Sequence, residues 1–163
     1  MTVLSRTLPI PLLPDIAWET IVDVDRWSHW MPHVIEAGWT DEDAPMERGR
    51  RLWFRLHHNE REPLVHAEVS AVRPGRELSY RPVGGDLPYV EGMEELEWQF
   101  LVYPRPAGCS VRLTISYSAR GGVPMMREVI GARMQILNQA DNVLLALHSM
   151  AGGEGPAAVL AEA

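Results

Sequence analysis

The chain has 163 residues, 46% of them hydrophobic, and a formal net charge of −7. That is enough for one domain with a substantial core, and the acidity argues against nucleic acid and anionic membranes, which select basic patches. No apolar run approaches the roughly 18 residues of a membrane span and the start lacks a signal-peptide pattern, so the expectation is a cytoplasmic protein without membrane insertion. A single cysteine, Cys109, excludes an internal disulfide. Six tryptophans and eight methionines are many for this length. Core filling accounts for them, and so does an adaptable apolar pocket.

Residues 2–10 read as a first strand, ended by Pro9, Pro11 and Pro14. A short helix follows over 15–24, then a second helical piece over 24–30 that stops before Met31-Pro32. Strands are expected over 34–40, 50–58, 64–72 and 77–81, with an acidic loop at 41–49 and a turn at Pro74-Gly75. Residues 82–89, with Gly84-Gly85 and two prolines, read as a loop. A long hairpin then pairs 92–103 with 109–120. The last element is a helix over 123–150, opened by Pro124 and closed by Gly152-Gly153. Its apolar residues Met126, Ile130, Met134, Leu137, Leu144 and Leu147, with Val129, Ile136 and Val143 alongside, recur at steps of three and four. Gly131 lowers its propensity and suggests a packing or cavity reason. Runs of strands followed by one long helix predict an α+β domain over 1–151, a curved antiparallel sheet with the helix across it. Residues 152–163 are expected to be a disordered tail.

This order, with Pro14, Trp18, the Asp23–Trp27 stretch, Trp30, Pro32 and the turn and strand at 73–81, resembles the START-like helix-grip superfamily. The resemblance implies seven strands, two short helices after the first, and a cavity between sheet and long helix for an apolar small molecule. It implies no metal or organic cofactor. The local texture is most similar to the bacterial aromatase/cyclases of aromatic polyketide synthesis. Trp27 and Trp98 match their pocket tryptophans, and Leu113 and Tyr117 fall on the last strand where they carry apolar or aromatic residues. Their strand arginine falls on or near Val72, with Arg73 its neighbour, and the tyrosine after their second short helix falls on Val34. The expected partner is a hydrophobic, polyketide-like molecule, either cyclised or dehydrated by the protein or carried unchanged.

Strand alternation sorts the candidate side chains. Glu94 shares a face with Leu96, Trp98 and Phe100, which makes it either a desolvated proton-transfer group or an ionised strand end. On 64–72 the pattern turns Val65, Ala67 and Val69 inward, whereas alignment with the superfamily turns His66 and Glu68 inward as an acid–base pair. If the apolar set instead faced out, with Ala71, it would mark a homodimer interface. Leu52, Phe54 and Leu56 are the ordinary core choice on their strand, against Trp53, Arg55 and His57. Tyr117 and Tyr80 offer phenolic hydroxyls. Arg133 lies beside the helix stripe and either snorkels outward or anchors a ligand. The catalytic candidates are therefore Glu94, His66, Tyr117 and Arg133. The expected walls are Trp27, Trp30, Met31, Val34, Phe54 and Tyr80, continued by Leu96, Trp98, Phe100 and Leu113. Met126, Ile130, Met134 and Leu137 would form the helix side. His57 and His58 are adjacent and point to opposite sides of a strand, so no metal site is legible.

Overall fold

Seven strands join in one antiparallel sheet in the computed structural model, in the order β1-β7-β6-β5-β4-β3-β2. The structure describes residues 1–57, 60–86, 93–119 and 123–151, with the backbone alone at 119 and 123–130. The strands are β1 (Thr2–Ile10), β2 (Val34–Trp39), β3 (Arg51–Leu56), β4 (Leu64–Arg73), β5 (Glu77–Gly85), β6 (Met93–Arg105) and β7 (Gly108–Ala119). Two short helices, α1 (Pro14–Val22) and α2 (Trp27–Trp30), separate β1 from β2, with a 3-10 turn at Val24–Arg26 between them. The 27-residue helix α3 (Val123–Ser149) is the last element and packs against β1, β7 and α2. This is the helix-grip architecture. No described helix is long and apolar enough to cross a membrane. The expected tail at 152–163 lies outside the described residues.

The alternating pattern of the strands decides which face is core. On β4, Val65, Ala67 and Val69 are wholly buried. They face inward, so they form part of the core and not an apolar stripe for a homodimer. His66, between them, is exposed. Leu52, Phe54 and Leu56 of β3 are buried likewise, as are Val111, Leu113, Ile115 and Tyr117 of β7. The segment expected as a loop from residue 82 instead continues β5 to Gly85, which pairs with Val65. Gly85 supplies φ +77°, and a Cβ there would collide with the Leu64 carbonyl, so the end of the strand needs glycine. Residues 87–89 of that expected loop lie outside the described residues.

Helix α3 keeps the expected stripe at Ile136, Val143, Leu144 and Leu147 but departs from it at Met134. Its buried side chains are Ala132, Ile136, Ala140, Val143, Leu144, Leu145 and Leu147, while Met134 is 61% exposed. Residues 134 and 136 lie about 200° apart around a helix of 3.6 residues per turn. Only one of them can face the sheet. The buried line runs through the small residues Ala132 and Ala140, which let the helix approach closely, and this turns Met134 and Arg133 to the outside. A Cβ built on Gly131 meets nothing within 4 Å, so no close approach requires glycine there. Arg6 of β1 and Asp141 of α3, 3.0 Å apart, tie the helix to the edge strand.

Candidate ligand site beneath the long helix

The site is assembled on three elements. Pro32 disfavours helical geometry for the residue before it, and Met31 accordingly takes φ −75°, ψ 116° and ends α2 at Trp30. A tight turn follows, in which Val34 N–H donates to the Met31 carbonyl at 3.2 Å, and His33 sits within it. The His33 carbonyl accepts the His57 N–H at 2.8 Å, which fixes this turn to the end of β3. Trp27, one turn earlier, donates its indole N–H to the Ile21 carbonyl at 2.9 Å. That bond satisfies its only donor and locks the ring under the sheet.

Four aromatic side chains meet there. Tyr80 and Trp98, paired across β5 and β6, stack with centroids 5.1 Å apart and planes 25° apart. Phe54 approaches Trp98 edge-on at 5.5 Å, and Trp27 lies 5.5 Å from Tyr80 and 6.0 Å from Phe54. Offset-stacked and tilted geometries of this kind are the favoured ones for aromatic pairs. The cavity beside them is lined by Trp27, Met31, His33, Val34, Phe54, Leu56, Tyr80, Trp98, Phe100, Leu113 and Ile115, and by Ile136, Gln139, Ala140 and Val143 of α3. Its volume is about 30 Å³, space for a water or two. The deep cavity expected from the sequence is thus nearly closed by the aromatic cluster in this conformation. A larger, open hollow of about 420 Å³ lies outside, between β1 and α3, along Thr7, Leu8, Asn138, Asp141 and Asn142.

Of the expected wall residues, Trp27, Met31, Val34, Phe54, Tyr80, Trp98, Phe100 and Leu113 line the cavity. Trp30 and Leu96 are buried nearby without lining it, and Leu137 packs at the margin of the core. Met126 and Ile130 lie outside the residues whose side chains are described. Met134 is turned to the outside by the helix phase already given.

None of the four catalytic candidates lines the cavity. His66 is exposed on the outer face, and its neighbour Glu68 pairs there with Arg81 at 2.8 Å. Arg133 is exposed on the outer side of α3. Glu94 is moved by a β-bulge between Glu94 and Glu97, where Glu95 adopts φ +54°. The bulge reverses the alternation, so Glu94 pairs with Ser118 and Glu97 with Ser116, both on the outer face, while Leu96 and Trp98 stay inside. Tyr117 is buried on the inner face, away from the cavity lining. Arg55 also faces out, to Glu36 at 3.0 Å.

Two polar lining residues escaped the sequence reading, Gln139 and His33. Gln139 lies on the inward line of α3, one residue before Ala140. His33 has its Nδ1 buried with no hydrogen-bond partner, an arrangement that costs about 1–3 kcal/mol. Burial pushes its pKa from 6.5 down to about 4, so the imidazole is neutral at physiological pH. The signal for it was available: an imidazole beside Met31-Pro32 in the turn that opens β2. Among the described residues no group of three or more His, Cys, Asp or Glu is placed to hold a metal ion.

The family model described as "Polyketide cyclase / dehydrase and lipid transport" matches residues 1–140. The search of curated proteins finds no match. Among solved structures, the Zhui aromatase/cyclase from Streptomyces sp. R1128 superposes with a TM-score of 0.65 at 14% identity, over 94% of this chain and 99% of that one. The di-domain ARO/CYC StfQ from the steffimycin biosynthetic pathway gives 0.73 at 14% identity, over 91% of this chain and 50% of its own. A START superfamily protein from Mycobacterium smegmatis gives 0.62 at 13% identity, over 85% and 92%. Identities this low carry the fold alone.

Proposed function

Because the chain belongs to the polyketide cyclase/dehydrase and lipid transport family, we propose that it binds a flat, polyketide-like small molecule between α3 and the sheet and promotes its ring closure or dehydration. The observation that carries this reading is the cluster of Trp27, Phe54, Tyr80 and Trp98 set against His33 and Gln139 around one small cavity. Aromatic faces grip flat rings, and a few polar groups within an apolar cavity orient them. With about 30 Å³ free, entry of a ligand requires the aromatic side chains to rotate or the Ile136–Val143 stretch of α3 to lift from the sheet.

The manner of catalysis follows from what lines the cavity. Among the described lining residues there is no carboxylate, and His33, with its pKa near 4, is a weak base at neutral pH. Acceleration therefore rests on confinement. A flexible poly-ketone held folded brings an enol carbon beside the carbonyl it attacks, and such positioning can supply roughly 7–11 kcal/mol of a barrier. The same shortage of proton-transfer groups favours a second reading, a carrier that holds an apolar ligand unchanged.

One experiment separates them. The purified protein is incubated with an unreduced linear poly-β-ketone thioester, then examined by native mass spectrometry and by chromatography of the extracted ligand. A bound molecule lighter by one water, or a cyclic isomer formed faster than in buffer, supports the cyclase/dehydratase. Recovery of the unchanged ligand in the complex supports the carrier, and no complex at all removes both.

A further inference from the structure

We infer that His33 is the polar anchor of the cavity, taking one hydrogen bond through Nδ1 from or to an uncharged oxygen, a hydroxyl or ketone, on a flat ring. This rests on the ligand-binding reading above and narrows its ligand class. Three observations converge on it. The imidazole lines the cavity, on a turn pinned to β3 by the 2.8 Å bond from His57 N–H to the His33 carbonyl. Its Nδ1 is buried and unpartnered, whereas the Trp27 N–H, a ring donor that also lines the cavity, is already bonded to the Ile21 carbonyl. Buried polar groups without partners are rare enough in folded proteins that each calls for an explanation, and a ligand is one.

The charge of the ligand follows from the same wall. A neutral imidazole presents one donor nitrogen and one acceptor nitrogen, which suits a phenol or ketone oxygen. A carboxylate or phosphate buried here would need a cation or several donors beside it. Among the described lining residues there is neither lysine nor arginine. Arg133, the expected hook for an acid, is on the outside of the helix.

Two probes of matched shape test this, 1-naphthol and 1-methylnaphthalene, titrated against tryptophan fluorescence, with 1-naphthoate as the charged control. The wild-type protein is expected to favour 1-naphthol over 1-methylnaphthalene by about 3- to 10-fold, the range of a single neutral hydrogen bond, and to bind 1-naphthoate more weakly than either. His33→Phe is expected to abolish the preference while still binding 1-methylnaphthalene, which shows that the fold and cavity persist. His33→Asn, which keeps a short polar side chain, is expected to restore part of it. In the wild type the His33 ring-nitrogen NMR signals should move on adding 1-naphthol and stay in place with 1-methylnaphthalene. An undiminished preference in His33→Phe would overturn the anchor and leave the cavity standing. Tightest binding of 1-naphthoate would overturn the uncharged class. Failure of all three probes to bind the wild type would remove the anchor together with the ligand-binding reading.

Discussion

The two faces of the sheet are built from the same strands and divide the chemistry between them. Inside, aromatic and aliphatic side chains close almost all the space under α3 and leave His33 and Gln139 as polar groups at the cavity. Outside, carboxylates and arginines pair in short networks. Glu68 meets Arg81 and, at 3.9 Å, Arg51; Glu36 meets Arg55; Ser70 donates to Glu97 at 2.8 Å. Glu77 shows the outer balance in one group. Burial alone would raise its pKa, but hydrogen bonds from Gln99, Ser79 and Arg73, with the Arg73 charge, outweigh that and hold the carboxyl below its ordinary 4.5. Partly exposed pairs of this kind contribute little to stability. The difference teaches that charged residues at strand positions say little about the cavity, because here they solvate the outer face.

Substitutions inside should therefore be costly. Phe54→Ala removes a side chain 3% exposed that touches Trp27, Tyr80 and Trp98. It should destabilise the fold by about 3–5 kcal/mol in urea unfolding. A loss under about 1 kcal/mol would mean that the cluster is loosely packed and already open to a ligand.

The next effect is a pH dependence set by His33. Its pKa in the fold, about 4, lies below its ordinary 6.5, so between those values the unfolded chain binds the extra proton. Stability should therefore rise with pH across this window and be lost as pH falls from about 6.5 to about 4, by a total of about 3 kcal/mol. Glu77 acts in the same direction but lower, since its stabilisation is present above 4.5 and is lost as pH falls through its depressed value in the fold. Unfolding curves of wild type and His33→Asn between pH 4.5 and 7 isolate the first contribution. If the variant retains the full slope, the imidazole is not the buried neutral group described.

Ala140→Leu comes third. Ala140 is 1% exposed and lines the cavity from α3, so three added carbons must fill the remaining space or push the helix away. A loss of about 1–3 kcal/mol is expected, with binding of 1-methylnaphthalene reduced, as measured by urea unfolding and fluorescence titration. Retained binding would move the ligand elsewhere, for instance to the open hollow beside β1.

The fold was legible because its signals are periodic. Alternation on β3, β4 and β7 and the proline and glycine punctuation place nearly every element, and those period-two patterns survive into the structure. The site was legible in its apolar walls, aromatic and aliphatic, and not in its polar groups. Trp27, Phe54, Tyr80 and Trp98 announce themselves by size, whereas Glu94 is misplaced by a bulge whose only trace is an ordinary glutamate at φ +54°. Period-two counting carries across such a bulge with the wrong parity. Helix phase held at Ile136, Val143, Leu144 and Leu147 and failed at Met134, which fits the apolar spacing; Ala132 and Ala140 complete the inward line instead, and alanine is a weak marker of burial in a sequence. His33 lies in a turn, where no periodicity assigns a face.

The smallest effects should come from the outer face. His66→Ala and Arg133→Gln alter exposed side chains away from the cavity, and each should change stability by no more than about 0.5 kcal/mol. Glu68→Gln removes the charge shared by Arg81 and Arg51 and should cost at most about 1 kcal/mol, falling with added salt. Binding of 1-naphthol should match wild type in all three. The sharp case is His66, because an acid–base role and an outer-face position make opposite forecasts for the same substitution. A large loss of turnover in His66→Ala, with stability and naphthol binding unchanged, would mean that chemistry takes place on the face assigned to solvent. Wild-type turnover would leave proton movement to the neutral groups under α3 and to water, as confinement requires.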